Sequence, residues 1–172
     1  MNKIFLIPFI FFFYFNFAMA NTTIAFIDMD RIMSDSKPGL SILKQLKNIN
    51  NKNSNKFQND FKKLKEQEIK LISQKKILSK SDFQSNVNKL KSEVENYNIS
   101  KDKINNEFTK LKVNSTNKLL TLVNPILIKY SNEKSISIIL QKKNIIIGKT
   151  ELDITDEIIM IIDNVIDEFK IK

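Results

Sequence analysis

The chain has 172 residues, 28 basic against 19 acidic, with no His, no Cys and only two Gly. Without imidazole or thiol there can be no Ser-His-Asp or Cys-His catalysis, no disulfide, and no thiolate or imidazole metal site. Gly39 and Gly148 are too few to build a phosphate-cradling or dinucleotide-binding loop, so no nucleotide-driven cycle is encoded. The expectation is a non-enzymatic protein with no catalytic residues, no metal and no cofactor.

The first twenty residues are a separate material, holding seven of the thirteen Phe and a single charge, Lys3. A basic start, an apolar run from Ile4 to Phe15 and the small-residue end Ala18-Met19-Ala20 predict a cleavable secretory signal peptide over residues 1–20. A retained membrane anchor is the competing reading, but residues 4–20 are broken by Pro8 and Asn16 and fall short of the ~20 apolar residues that span a bilayer. Export suits a chain that relies on no disulfide.

After Asn21, the run Ile24-Ala25-Phe26-Ile27 predicts a buried strand, and residues 28–33 a short helical turn. Ser36-Lys37-Pro38-Gly39 then punctuates the chain. Residues 40–134 contain one Pro and no Gly, which favours long helices. Leu43, Phe57, Leu64, Leu71 and Leu78 recur at multiples of seven, with Asn50 in the missing place. After Ser79-Lys80-Ser81, the series Phe83, Val87, Leu90, Val94, Tyr97, Ile104, Phe108 and Leu111 alternates spacings of four and three, with Lys101 the only gap. These are two coiled-coil seams. Ser81 with Gln84 reads as a capping box opening the second helix. Two helices joined by a short turn run antiparallel, and 38 residues at 1.5 Å each extend ~57 Å, so they form a projecting arm. The first seam is half wet, with Asn53, Asp60 and Gln67 where apolar residues belong and Leu46 and Phe61 compensating in part. This predicts a pliable arm. Asn124 is a good N-cap and Pro125 suits a first turn, so a kink or restart is expected there as a hinge at the arm's root.

The rest of the chain returns to β. Residues 135–140 and 145–147 flank Lys142-Lys143-Asn144 and predict a hairpin. Asp153 or Thr155 then caps a final helix running towards Lys172, with Ile158, Ile162, Val165 and Phe169 on its buried face. The fold class is α+β: a small β-strand body from residues 21–39 and 135–172 interrupted by a helical hairpin arm over 40–134. So small a core rarely supplies more than ~3 to 5 kcal/mol, which points to oligomerisation through the strands.

Taken in order, Ile24 to Asp28, Ser36-Lys37-Pro38-Gly39, the basic helical hairpin, Asn124-Pro125-Ile126-Leu127 with Tyr130, Ile136 to Leu140, Lys143-Asn144-Ile145 and Leu152-Asp153-Ile154-Thr155 resemble the Skp (OmpH-like) periplasmic chaperones over nearly the whole exported chain. The resemblance implies a jellyfish-shaped homotrimer in the periplasm. A β body shared by three chains would carry helical tentacles that hold unfolded outer-membrane β-barrel proteins without ATP. It further implies that Ile24, Phe26, Ile136, Ile138, Ile145 and Ile147 help build the trimer body.

Charge points the same way. Residues 36–135 hold 21 Lys against 9 acids, whereas residues 150–172 hold 2 Lys against 7 acids. Any one Lys serves solvation, but an excess of twelve in one zone goes beyond solubility and attracts an anionic partner. Lys62, Lys63, Lys65, Lys70, Lys75, Lys76, Lys80, Lys89 and Lys91 are the collective candidates for client binding. Acidic unfolded polypeptide is the expected partner, with anionic lipid or lipopolysaccharide compatible. Nucleic acid is not expected, because export argues against it and the arm aromatics fall on the seams rather than on a stacking face. The alternative is a structural coiled-coil envelope protein, or a lipid- or lipopolysaccharide-binding one, without chaperone activity.

Overall fold

The computed structural model describes residues 22–167 and 169–171. The expected signal peptide and its cleavage point before Asn21 lie outside them. The order of elements is β1 (Thr23–Ile27), α1 (Met29–Asp35), α2 (Lys37–Ser73), α3 (Lys80–Glu133), β2 (Ile136–Gln141) and α4 (Thr155–Val165), with short 3-10 turns at Lys142–Asn144 and Thr150–Leu152.

Local chemistry sets the boundaries. Asp28 caps α1, its carboxylate accepting from the N–H groups of Asp30 and Arg31 at 3.1 Å each. Ser36 closes α1 and opens α2: its hydroxyl donates to Ile32 O at 2.6 Å and accepts from Gly39 N at 3.2 Å. A Cβ on Gly39 would lie 2.3 Å from Met33 O, so only glycine lets α2 start against the end of α1. With Pro38 in the first turn, α2 therefore begins at Lys37, ahead of the expected Leu40.

The two ends of the described chain meet as expected, but through a parallel pair. β1 and β2 align Ile24 with Ile138, Ala25 with Ile139 and Phe26 with Leu140. A parallel pair requires a crossover, which the helical hairpin supplies. The expected 135–147 hairpin does not form. Lys142–Asn144 is a 3-10 turn, residues 145–147 are not a strand, and Ile146 and Ile147 are 99% and 91% exposed. The other side of β1 is taken instead by Ile154 N, which donates to Phe26 O at 3.0 Å. Gly148 lies against Phe26, whose ring carbon would be 2.9 Å from an added Cβ.

The core gathers where the arm's root meets the sheet: Ala25 and Ile27 from β1, Ile32 from α1, Ile42 and Leu46 from α2, Leu119 and Val123 from α3, and Ile158 and Ile162 from α4. Fully covering each Ile or Leu is worth ~1.5 to 3 kcal/mol before conformational entropy is counted, so stability concentrates at this junction.

Two expectations for the final helix are corrected. Neither Asp153 nor Thr155 holds the cap position, which falls at Ile154. Asp153 accepts from Thr155 N at 3.1 Å in a local turn, and Thr155 Oγ1 accepts from Asp28 N at 2.9 Å, tying α4 to β1. The helix also stops at Val165, itself 67% exposed, instead of continuing past Phe169. Its last turn has no basic residue and contains Asp163, which the negative end of the helix dipole disfavours.

Candidate functional site

The arm is built from α2 and α3, and at 1.5 Å per residue the 54-residue α3 extends ~81 Å. The turn between them covers residues 74–79. The cap of α3 is Ser79, not Ser81: its hydroxyl accepts from Asp82 N at 3.1 Å and donates to the Asp82 carboxylate at 2.6 Å. The capping-box pattern is met two residues early, with Asp where Glu or Gln usually stands. Gln84 instead donates to Asn88 at 3.1 Å.

The seams pack antiparallel, with Leu64 and Leu71 beside Val87, Leu90 and Tyr97. Phe57, Leu64, Leu71, Phe83, Val87, Leu90, Ile104, Phe108 and Leu111 are half-buried on the predicted lines. At the root the line shifts by one: Ile42 and Leu46 are buried, whereas Leu43 is exposed. Between residues 47 and 114 no described residue is buried. Asp60 does sit on the seam, where its carboxylate accepts from Lys56 Nζ at 2.8 Å and is held below its ordinary pKa by that lysine. The arm is thus a two-helix ribbon without an enclosed core.

Phe61 does not repair the seam as expected. It is 60% exposed and stands at the lip of an open groove of about 550 Å³ on the outer half of the arm. Leu64, Leu71, Phe83, Leu90 and Tyr97 floor this groove, and Ile72 (63% exposed) and Val94 (41%) open into it. Lys65, Glu68 and Lys91 border it. Sequence reading missed the groove because Phe61 and Ile72 flank the seam, and only the pairing of two helices turns them into a wall.

All nine candidate lysines are exposed. Lys65 pairs with Glu68 at 3.1 Å; among the described residues Lys62, Lys63, Lys70, Lys75, Lys76, Lys80, Lys89 and Lys91 make no salt bridge. Further exposed apolar side chains, Ile69, Ile77, Ile99 and Val113, lie along the same arm.

The six residues assigned to the body divide. Phe26 is buried, Ile136 and Ile145 are half-buried, and Ile24, Ile138 and Ile147 are exposed. At Asn124-Pro125 α3 continues as one helix without a restart. Pro125 cannot donate to Thr121 O, and Thr121 is exposed, so water can satisfy the freed carbonyl.

With this geometry in hand, the family model described as outer membrane protein (OmpH-like) matches residues 23–162. The chain belongs to the OmpH-like family. Among solved structures, a candidate outer membrane chaperone (OmpH-like) from Caulobacter crescentus CB15 superimposes with a TM-score of 0.80 at 14% identity, covering 88% of this chain and 89% of the other. At that identity the likeness speaks for the fold: long paired helices on a small sheet. Comparison with curated proteins by sequence gives no significant match.

Proposed function

We propose that this OmpH-like chain is an ATP-independent periplasmic holdase, exported after loss of residues 1–20, that captures unfolded outer-membrane β-barrel proteins between basic arms and keeps them from aggregating. Family membership supports a chaperone-type function. The observation that carries the finer reading is the arm itself: exposed apolar side chains are interspersed with lysines, most of which make no ion pair among the described residues, on a ribbon with nothing buried between residues 47 and 114. Long-range attraction draws in an acidic unfolded chain, and many weak apolar contacts then hold it.

Three copies joined through the body would surround the client. Exposed Ile24, Ile138, Ile146 and Ile147 on the β side support association there, leaving the arms free. Each contact after the first is intramolecular, so weak contacts on three arms give tight capture. The freed carbonyl at Thr121 supports a hinge at Asn124-Pro125 that lets the arms close on clients of different size. The unpaired lysines also favour a second anionic partner, lipid or lipopolysaccharide at a membrane surface.

The test is dilution of a urea-unfolded outer-membrane β-barrel protein into buffer with and without the mature chain, in the absence of nucleotide. Suppressed light scattering and a sedimenting trimer are expected. Undiminished aggregation at excess chain would instead favour a structural coiled-coil envelope protein.

A further inference from the structure

Beyond Val165 the chain leaves α4, and residues 166–167 and 169–171 lie at the root of the arm. This strap lies past residue 162, where the family match stops. Gln45 on α2 holds it by its backbone: Nε2 donates to Phe169 O at 2.5 Å, and Oε1 accepts from Ile171 N at 3.2 Å. Ser41 Oγ donates to the same Phe169 carbonyl at 3.2 Å. One side-chain amide thus serves the C=O of one residue and the N–H of the second residue after it, the pair of groups that a neighbouring β-strand would serve. Such a contact recognises extended backbone and no particular side chain.

Selectivity comes from the side chains. Phe169 is 8% exposed and joins the core cluster with Ile42, Leu46 and Leu119, and Lys118 Nζ lies 4.8 Å from its ring centroid. Lys170 points to solvent and Ile171 is half-buried, so Phe169, Lys170 and Ile171 alternate between inside and outside as successive residues of an extended segment do. Beside Phe169 an open cavity of about 820 Å³, bordered by Leu122, Ile126, Tyr130 and Val165, has room for a further apolar side chain of a longer strand.

We infer that the arm's root is a receptor for one extended polypeptide segment bearing an aromatic residue two positions before an aliphatic one. Phe169 and Ile171 fill it in cis, and a strand of an unfolded β-barrel client takes it in trans. The trans half rests on the holdase reading above, whereas the receptor itself stands on the geometry of Gln45 and Phe169. Because the strap is tethered to α4, it competes at an effective concentration on the order of millimolar. A free peptide at micromolar concentration does not displace it. A client strand already held by the arms competes on equal terms, so the strap admits only engaged clients.

The experiment uses the full chain, whose lack of cysteine makes Lys170→Cys a unique labelling site. A nitroxide there should be immobile in the free protein and gain mobility on addition of ~1 mM synthetic peptide of residues 166–171, or of urea-unfolded β-barrel protein. Phe169→Ala, which removes the cis anchor, should bind the fluorescent peptide at least about tenfold more tightly than wild type by anisotropy, and adding Gln45→Ala should abolish that gain. If Phe169→Ala fails to fold, the nitroxide measurement decides alone. A label that stays immobile at millimolar peptide, or peptide binding indifferent to Gln45, overturns the receptor. Displacement by peptide but not by β-barrel protein removes the client as occupant. Displacement by both with no suppression of aggregation would leave the receptor standing and sink the holdase reading.

Discussion

The groove gives the sharpest test of how clients are retained. Phe61 is 60% and Ile72 63% exposed. An aromatic side chain offers ~200 Å², so ~120 Å² of Phe61 stays uncovered, worth up to ~3 kcal/mol at ~25 cal/mol per Å² if a client sealed it completely. The same reasoning gives Ile72 a ceiling of ~1 to 2 kcal/mol. A mobile client that covers half of this area gains ~2 kcal/mol from the two, or about thirtyfold in dissociation rate. Phe61→Gln with Ile72→Gln should therefore speed dissociation by about that factor and leave association nearly unchanged. Gln is a good helix former and both sites face solvent, so thermal stability should move little, within about 0.5 kcal/mol per site. Stopped-flow chase of a fluorescent, unfolded β-barrel protein measures the rate, and circular dichroism checks the fold. Dissociation within about twofold of wild type would remove the groove from the mechanism.

Charge acts on the other limb: reversing Lys62, Lys63, Lys75, Lys76, Lys89 and Lys91 together to Glu should slow association strongly, while any single reversal does little, since exposed pairs are worth ~0.2 to 1 kcal/mol; stopped-flow mixing at low and high salt reads both. Burial pushes the Asp153 carboxyl up, but hydrogen bonds from Thr155 and Lys142 outweigh it and hold its pKa below the ordinary carboxylate value. The stability it contributes is present above the unfolded value of ~3.9 and lost as pH falls through the lower folded value, so urea midpoints should drop in that acid range and Asp153→Asn should flatten the drop. Pro125→Ala restores a hydrogen bond to Thr121 O and should stiffen the arm's root, seen as a narrower spin-label distance distribution between arm and sheet; an unchanged distribution removes the hinge.

How much of this was legible in the sequence depends on whether one element or two decides a residue's place. The α3 seam could be read because Phe83 to Leu111 hold a four-three period, broken only at Lys101, that a single helix imposes. Ser36-Lys37-Pro38-Gly39 could be read because capping and Pro placement are local. Residues 145–147 could not: three consecutive isoleucines carry no period, and whether they pair depends on a partner edge that β1 gives to residue 154 instead. Phe169 falls on the stripe begun by Ile158 and Ile162, yet its ring is buried only because the helix stops and the strap turns back onto Gln45. The lysines were found as a count, whereas the apolar groove beside them needed the pairing of α2 with α3.

The arm also poses a problem that its charge answers. Phe61, Ile69, Ile72, Ile77, Ile99 and Val113 stay exposed on the surface that the proposed holdase would use to bind other apolar chains, and such surfaces also bind each other. An excess of twelve lysines over acids between residues 36 and 135 gives approaching arms the same sign, so repulsion should guard the apolar row from its copies while the same charge attracts the acidic clients of the proposed function. The two roles respond to salt in opposite directions. Raising ionic strength from about 0.1 M to about 1 M shortens the Debye length from ~10 Å to ~3 Å, which should slow client capture and at the same time increase self-association of the free chain. The six reversals cancel the excess, so that variant should self-associate already at low salt. Static light scattering of the client-free protein across the salt series measures this. Scattering that stays flat in both proteins would mean that the lysines do not keep the arms apart, and the exposed row would need another protector.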